Sequence, residues 1–153
     1  MQRNPDRSIL RILRTGRAYN TGKIGTTPGA CKVSDIVKHP LSTIAHGRSG
    51  DKGNHSNIAV IAYTPAGYAW LKEHLTAEVV ADYFAPLAPS RVERFEAANV
   101  LGLNFMLYDA LAGGASRSLR NDTQGKSFAL AVLQMPFDLP ADHAHMLRVA
   151  EPT

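Results

Sequence analysis

The chain has a single cysteine, Cys31, in 153 residues. No intrachain disulfide can form, and a zinc site built on several cysteines is excluded. This usage fits a reducing compartment. No apolar run approaches the roughly 20 residues needed to span a bilayer, and the first residues lack the compact apolar core of a secretory signal. Gly-x-Ser-x-Gly, the signature of serine acyl transfer, is absent. There is no internal repeat and no low-complexity tract. The Asn-x-Ser/Thr matches at Asn54 and Asn121 are chance-frequency patterns.

Hydrophobic residues make up 44% and charged residues 20%. That is a globular composition, and the length suits one domain with a core of reasonable size. The net charge of +4 is unevenly spread. Residues 1–38 hold eight Lys/Arg and two Asp/Glu, and the rest of the chain nine and eleven. The basicity belongs to an N-terminal arm, and the remainder is slightly acidic. A nucleic-acid-binding domain keeps its cations on the folded surface, so nucleic acid is not an expected partner.

Three regions follow: residues 1–38 as a basic, disordered extension, 39–140 as one α+β domain, and 141–153 as a loose tail. The arm has other readings, a mitochondrial-type targeting segment or a short amphipathic surface-binding helix around Ser8–Arg14. The expected location is the cytoplasm, or the mitochondrial matrix if the arm is a targeting segment.

The most informative stretch is His46-Gly-Arg-Ser-Gly-Asp-Lys-Gly-Asn-His-Ser-Asn57, between apolar runs at 41–45 and 58–63. It reads as a binding loop for an anionic small molecule. Its glycines permit backbone conformations that aim N–H groups inward as an anion nest. Arg48 adds a bidentate fork and Lys52 a point charge, with Ser49, Gly50, Gly53, Asn54 and Asn57 as further contacts. Asp51 cannot favour an anion directly; it either orients Arg48 or Lys52 or acts as a base. The competing reading is a solvated hairpin whose glycines only turn the chain.

Elsewhere, Pro40–Ala45 and Asn57–Tyr63 read as strands. Thr64-Pro65 opens one helix and Thr76 caps a second. Arg91–Ala97 reads as a strand, although Ser90-x-x-Glu93 has the form of a capping box. Asn104–Ala112 reads as a helix stopped by Gly113-Gly114, with Asn104 as its cap or a ligand contact and Asp109 mid-helix. Asp122 is expected to cap a last helix ending near Gln134. Phe137–Leu139 reads as a final strand. Helices between few strands give an α+β layer arrangement.

A second polar stretch, Gly113–Ser127, joins a helix end to a helix start. Gly125-Lys126-Ser127 matches the end of a phosphate-binding loop, but the required earlier glycine is Arg120 and no strand precedes, which rejects a nucleotide triphosphatase. Arg117, Arg120 and Lys126 near a helix N-terminus remain a reasonable anion site, and a solvated linker capped by Asp122 remains the alternative. His46 and His55 lack the spaced carboxylate–histidine set of a metal site. No metal and no cofactor is expected.

Taken in order, His46-Gly-Arg-Ser-Gly-Asp-Lys-Gly-Asn54, Asn57, Val92-Glu-Arg-Phe-Glu96, Leu103-Asn-Phe105, Asp109-Ala-Leu111, Gly113-Gly114, Ser118-Leu-Arg120 and Gln124-Gly-Lys126 resemble the small C-terminal domain of acyclic terpene utilisation protein A. The resemblance covers about residues 40–140. It departs from the family at Gly47, where alanine is usual, and near position 114, where Ala112-Gly113-Gly114-Ala115 keeps two of a usual three consecutive glycines. It implies a ferredoxin-like sandwich with helices on one face of a small, mainly antiparallel four-stranded sheet. It also implies a connection with breakdown of branched acyl-CoA compounds.

The leading expectation is an accessory subunit that pairs with a separate large subunit of the same family. It binds an acyl-CoA or small carboxylate through Arg48, Ser49, Gly50, Gly53, Asn54, Asn57, Asn104, Asp109, Gly113, Gly114, Ser118, Arg120, Gln124 and Lys126. A homo-oligomer is also open. The alternatives are a free-standing lyase or hydratase, with Asp51 as base and Lys52 and Arg48 stabilising an enolate, and a purely structural interaction module.

Overall fold

The computed structural model describes residues 38–149, so the basic arm lies outside the described residues. His39–Pro40 forms a two-residue strand, β1. Leu41–Thr43 is then one turn of 3-10 helix, not the continuing strand expected over 40–45. Leu41 and Ile44 are both fully buried. Three residues apart, they share a face in a 3-10 turn and would lie on opposite faces of a strand.

Strand β2 (Ala45–Lys52) turns directly into β3 (His55–Ala62). The two pair antiparallel from Ala45↔Ala62 to Lys52↔His55. Helix α1 (Pro65–His74) starts at Thr64, whose hydroxyl accepts the Gly67 N–H. Helix α2 (Ala77–Tyr83) starts at Thr76, which accepts the Val79 N–H. Both caps are as read from the sequence. Strand β4 (Arg91–Ala97) forms as expected.

Gly102–Tyr108 is strand β5, paired with both β3 and β4, not a helix over 104–112. Leu103, Phe105 and Leu107 are buried in alternation, a period of two that marks a strand with one covered face. The helical spacing of Phe105, Tyr108 and Ala112 is incidental. Gly113 and Gly114 therefore end no helix. They lie in an irregular turn with positive φ, as do Asp109 and Ala112. The last helix, α3, is only Phe128–Leu133, because Gly125 adopts φ 61° and breaks the helix expected from Asp122. The two-residue strand β6 (Pro136–Phe137) pairs with β1. The stretch expected as a loose tail contains a 3-10 turn, His143–Met146, and Met146 is buried.

The main sheet has the order β2-β3-β5-β4, antiparallel throughout. The run β3–α1/α2–β4–β5–α3 is the βαββα sequence of a ferredoxin-like sandwich. The strand that would follow α3 is supplied instead by β2, placed first and joined to β3 by a hairpin. The fold is an α+β sandwich of ferredoxin-like type. Ile58, Val60, Ala62, Leu103, Phe105 and Leu107 face the helices and join Leu71, Leu75, Val80, Phe128 and Val132 in one core. The opposite face, with Asn57, Ala59, Asn104, Met106 and Tyr108, is only half-buried, and among the described residues no element crosses it.

Candidate functional site

The twelve-residue polar stretch is a hairpin. Only Gly53 and Asn54 turn the chain, with Gly53 at φ 68°, where glycine carries no Cβ penalty. The remaining residues belong to the β2–β3 ladder, so Gly47 and Gly50 form no anion nest. What the strand geometry does provide is alternation. Arg48, Gly50 and Lys52 lie on one face of β2, opposite Ala59, Asn57 and His55. Gly50 leaves a notch between the two cations. A Cβ there would come 3.2 Å from the Lys126 Nζ, so the ammonium of a residue from the second polar stretch reaches the gap.

These groups line a cleft of about 390 Å³: Arg48, Ser49, Gly50, Asp51 and Lys52 from β2, Asn57 and Ala59 from β3, and Lys126. None of the ion pairs among the described residues involves Arg48, Lys52, Lys126 or Asp51. Asp51 thus does not orient Arg48 or Lys52 as anticipated. Three cations and one carboxylate, Asp51, face a common space, and none of the four is ion-paired among the described residues; the excess of two positive charges suits an anion. Arg48 and Lys52 are exposed, which limits the strength of each contact in water.

Ser49 has a structural role. Its hydroxyl donates to the Lys126 carbonyl at 3.0 Å and accepts the Ala129 N–H at 2.9 Å, which fixes the start of α3 to the edge strand. Asp122 holds the turn before α3 by accepting the Lys126 N–H (2.9 Å), the Ser127 N–H (2.8 Å) and the Ser127 hydroxyl (2.6 Å). Burial opposes its charge, but these bonds outweigh it and hold the carboxyl below its usual range. The N–H groups of Lys126, Ser127 and Ala129 at this helix start are therefore bonded within the chain.

Several other expected contacts lie apart from the cleft. Arg120 donates its guanidinium to the Ala110 carbonyl, Ser118 accepts the Arg120 N–H, and Gln124 is exposed and does not line the space. Asn104 caps nothing; on β5, its side-chain oxygen accepts from Asn57 Nδ2 at 2.9 Å, which braces the cleft's Asn57 from the neighbouring strand. Gly114 packs so close to the Gly53 carbonyl that a Cβ would lie within van der Waals overlap, and the Gly113 N–H donates to Asn54 Oδ1.

Asn54 and Asp109 belong to a second cluster at the hairpin tip. Asp109 has φ 57°. Its carboxylate accepts from Ser90 Oγ and Asn54 Nδ2, and these two hydrogen bonds hold its pKa below the ordinary aspartate value. Its N–H donates to His55 Nδ1 at 2.9 Å. Tyr108 lies between His55, with ring centres 5.0 Å apart, and the Arg91 guanidinium, 4.2 Å from its ring centre. The sequence alone assigns no site role to Ser90, Arg91 or Tyr108. The strand pattern would have placed Tyr108 and Arg91 side by side only once β5 was recognised. His46 lies elsewhere, stacked on Tyr63 beside Arg148 in a separate cleft of about 350 Å³. Among the described residues no group of three His, Cys, Asp or Glu is placed to hold a metal ion.

Residues 39–138 match the family described as the AtuA ferredoxin-like domain. The chain belongs to this family. The matched span contains the whole main sheet, α3 and every residue that lines the β2 cleft. No curated protein and no solved structure gives a significant match. Membership in the AtuA ferredoxin-like domain family is compatible with a role in acyclic terpene utilisation. Among the described residues no helix is long and apolar enough to cross a membrane.

Proposed function

We propose that this AtuA ferredoxin-like domain is an accessory module that binds an anionic small molecule, an acyl-CoA or a small carboxylate, in the cleft along β2. It presents this ligand to a separate large subunit of the same family. One observation carries the reading. Arg48, Lys52 and Lys126 surround the Gly50 notch, and among the described residues no carboxylate pairs with any of them. Asn57, braced by Asn104, supplies a neutral amide beside them.

The test is ligand-induced thermal stabilisation of the full chain with short and branched acyl-CoAs and the matching free acids. A ligand at 100 times its dissociation constant adds about 2.7 kcal/mol. Stabilisation that disappears in Arg48→Ala supports the reading. An equal shift in wild type and Arg48→Ala removes the cleft from consideration.

A second reading has one observation in its favour. Asp51 lines the same cleft with no cation paired to it, so it is free to act as a general base on a bound acyl compound in a lyase or hydratase reaction. That reading requires turnover by the isolated chain, and a loss of rate far exceeding the loss of binding in Asp51→Asn.

A further inference from the structure

Lys52 lies at the border between the cleft and the rest of the open sheet face. On the same open face Lys52 pairs with His55, and Arg91 pairs with Tyr108. His55 and Tyr108 touch ring to ring. The hairpin end of the sheet is therefore crossed by the row Lys52–His55–Tyr108–Arg91, with a cation at each end, Arg91 paired with Glu93, and two rings tilted 58° to each other between them. At a strand spacing of about 4.8 Å and a rise of about 3.3 Å per residue, the Gly50 notch lies about 8 Å from His55 and about 12 Å from Tyr108.

The row is held in place before any ligand arrives. The Tyr108 hydroxyl donates to Glu93 at 2.7 Å, Glu93 pairs with Arg91 at 3.2 Å, and the Arg91 guanidinium lies over the Tyr108 ring. The Asp109 N–H donates to His55 Nδ1, which makes Nε2 the proton-bearing nitrogen of the neutral ring and a donor with no partner among the described residues. Side chains fixed in advance lose little entropy when a flat group settles against one of them. Arg91 covers a face of the Tyr108 ring, so the flat groups left for a nucleobase are the exposed Arg91 guanidinium and the half-buried His55 ring, both of which can stack on a base.

We infer that the ligand of the β2 cleft is nucleotide-bearing: a diphosphate on Arg48, Lys52 and Lys126, and a base on the His55–Tyr108–Arg91 row. The inference rests on the anion-binding reading above and narrows it. It selects against a bare carboxylate, which has nothing to place on the row. A free nucleoside diphosphate and the nucleotide part of a CoA thioester share this chemistry.

Calorimetric titration of the full chain with pyrophosphate, ADP, CoA and a short branched carboxylate tests it. ADP or CoA is expected to bind about tenfold more tightly than pyrophosphate, the usual effect of one stacked base. Arg91→Met, at an exposed position, is expected to erase that gain and leave pyrophosphate affinity unchanged. His55→Ala is expected to reduce it and provides a second variant if Arg91→Met does not fold. Tighter binding of CoA than of ADP assigns the thioester source, and equal binding of the two assigns the shared nucleotide. Equal affinity for ADP and pyrophosphate overturns the nucleotide inference while the anion site stands. No binding of any of the four overturns the anion site as well.

Discussion

Ser49 and Lys126, 77 positions apart in sequence, are joined by a hydrogen bond of 3.0 Å from the hydroxyl of one to the carbonyl of the other. The same hydroxyl accepts the Ala129 N–H. One small side chain on an edge strand therefore fixes both the start of α3 and the lysine that completes the cleft. Ser49→Ala leaves the part-buried Ala129 N–H without its acceptor and is expected to cost about 1–2 kcal/mol. Denaturant titration measures this, and anion affinity should fall together with stability. Unchanged stability would show that α3 is anchored by apolar packing alone.

Gly50 tests the notch without touching a charge. Ala at this position places a methyl 3.2 Å from Lys126 Nζ, and a flexible ammonium can move aside. Gly50→Ala is therefore expected to leave stability within about 0.5 kcal/mol of wild type, because the half-buried site meets only the end of a flexible side chain. Anion binding should weaken several-fold. Full retention of binding would mean that Lys126 does not act through the notch.

Gly53 and Gly125 form a matched pair. Both have positive φ, 68° and 61°. Nothing lies within 4 Å of the Cβ position at Gly53, whereas at Gly125 it falls 2.6 Å from Ser56 Oγ and 3.2 Å from Leu111 Cδ2. Gly53→Ala should cost only the left-handed penalty of about 1–2 kcal/mol. Gly125→Ala should cost about 1–3 kcal/mol more, because Ser56 is fully buried and the site must overpack. Comparable losses would contradict the close approach of the 125 turn to β3.

Asp122 sets an acid limit. Its carboxyl lies below the usual aspartate range because the bonds from Ser127, Lys126 and Gln124 outweigh the penalty of burial. A group whose folded pKa is depressed contributes stability above its unfolded value, and loses it as pH falls through the folded one. The turn before α3 should therefore be fully held at neutral pH and weaken as pH falls below about 4. Asp122→Asn should flatten that part of the stability–pH curve and lower stability at pH 7 by about 1 kcal/mol, as for loss of a helix cap. A variant whose curve keeps the wild-type slope between pH 4 and 2 would assign the acid transition to other carboxylates.

Local patterns made much of the fold legible. Thr64-Pro65 and Thr76 mark real helix starts because hydroxyl caps and a first-turn proline act within three residues. Strand β3 is recognisable from Ile58, Val60 and Ile61. The misreadings share one cause. Asn104–Ala112 contains both a period of two and a period near 3.6, and short apolar runs fit either. Sheet pairing decided between them, since β5 fills the gap between β3 and β4. The polar stretch at 46–57 looked like a loop because its residues are polar, yet an edge strand with one open face accommodates polar residues at every second position.

The amino-acid sequence alone determined the family, the cations available and the impossibility of an intrachain disulfide, because these depend on residue identity and short-range order. Tertiary structure decided which cations act together. Lys126 reaches Gly50 because Ser49 holds its backbone to β2, while Arg120, six residues earlier, is bonded to the Ala110 carbonyl. Asp109 and His55 meet only because Leu111 and Gly113 donate their N–H groups to Asn54 in the hairpin turn. Such contacts join segments far apart in the chain, and their choice depends on how the whole sheet and its helices close, which no local periodicity encodes.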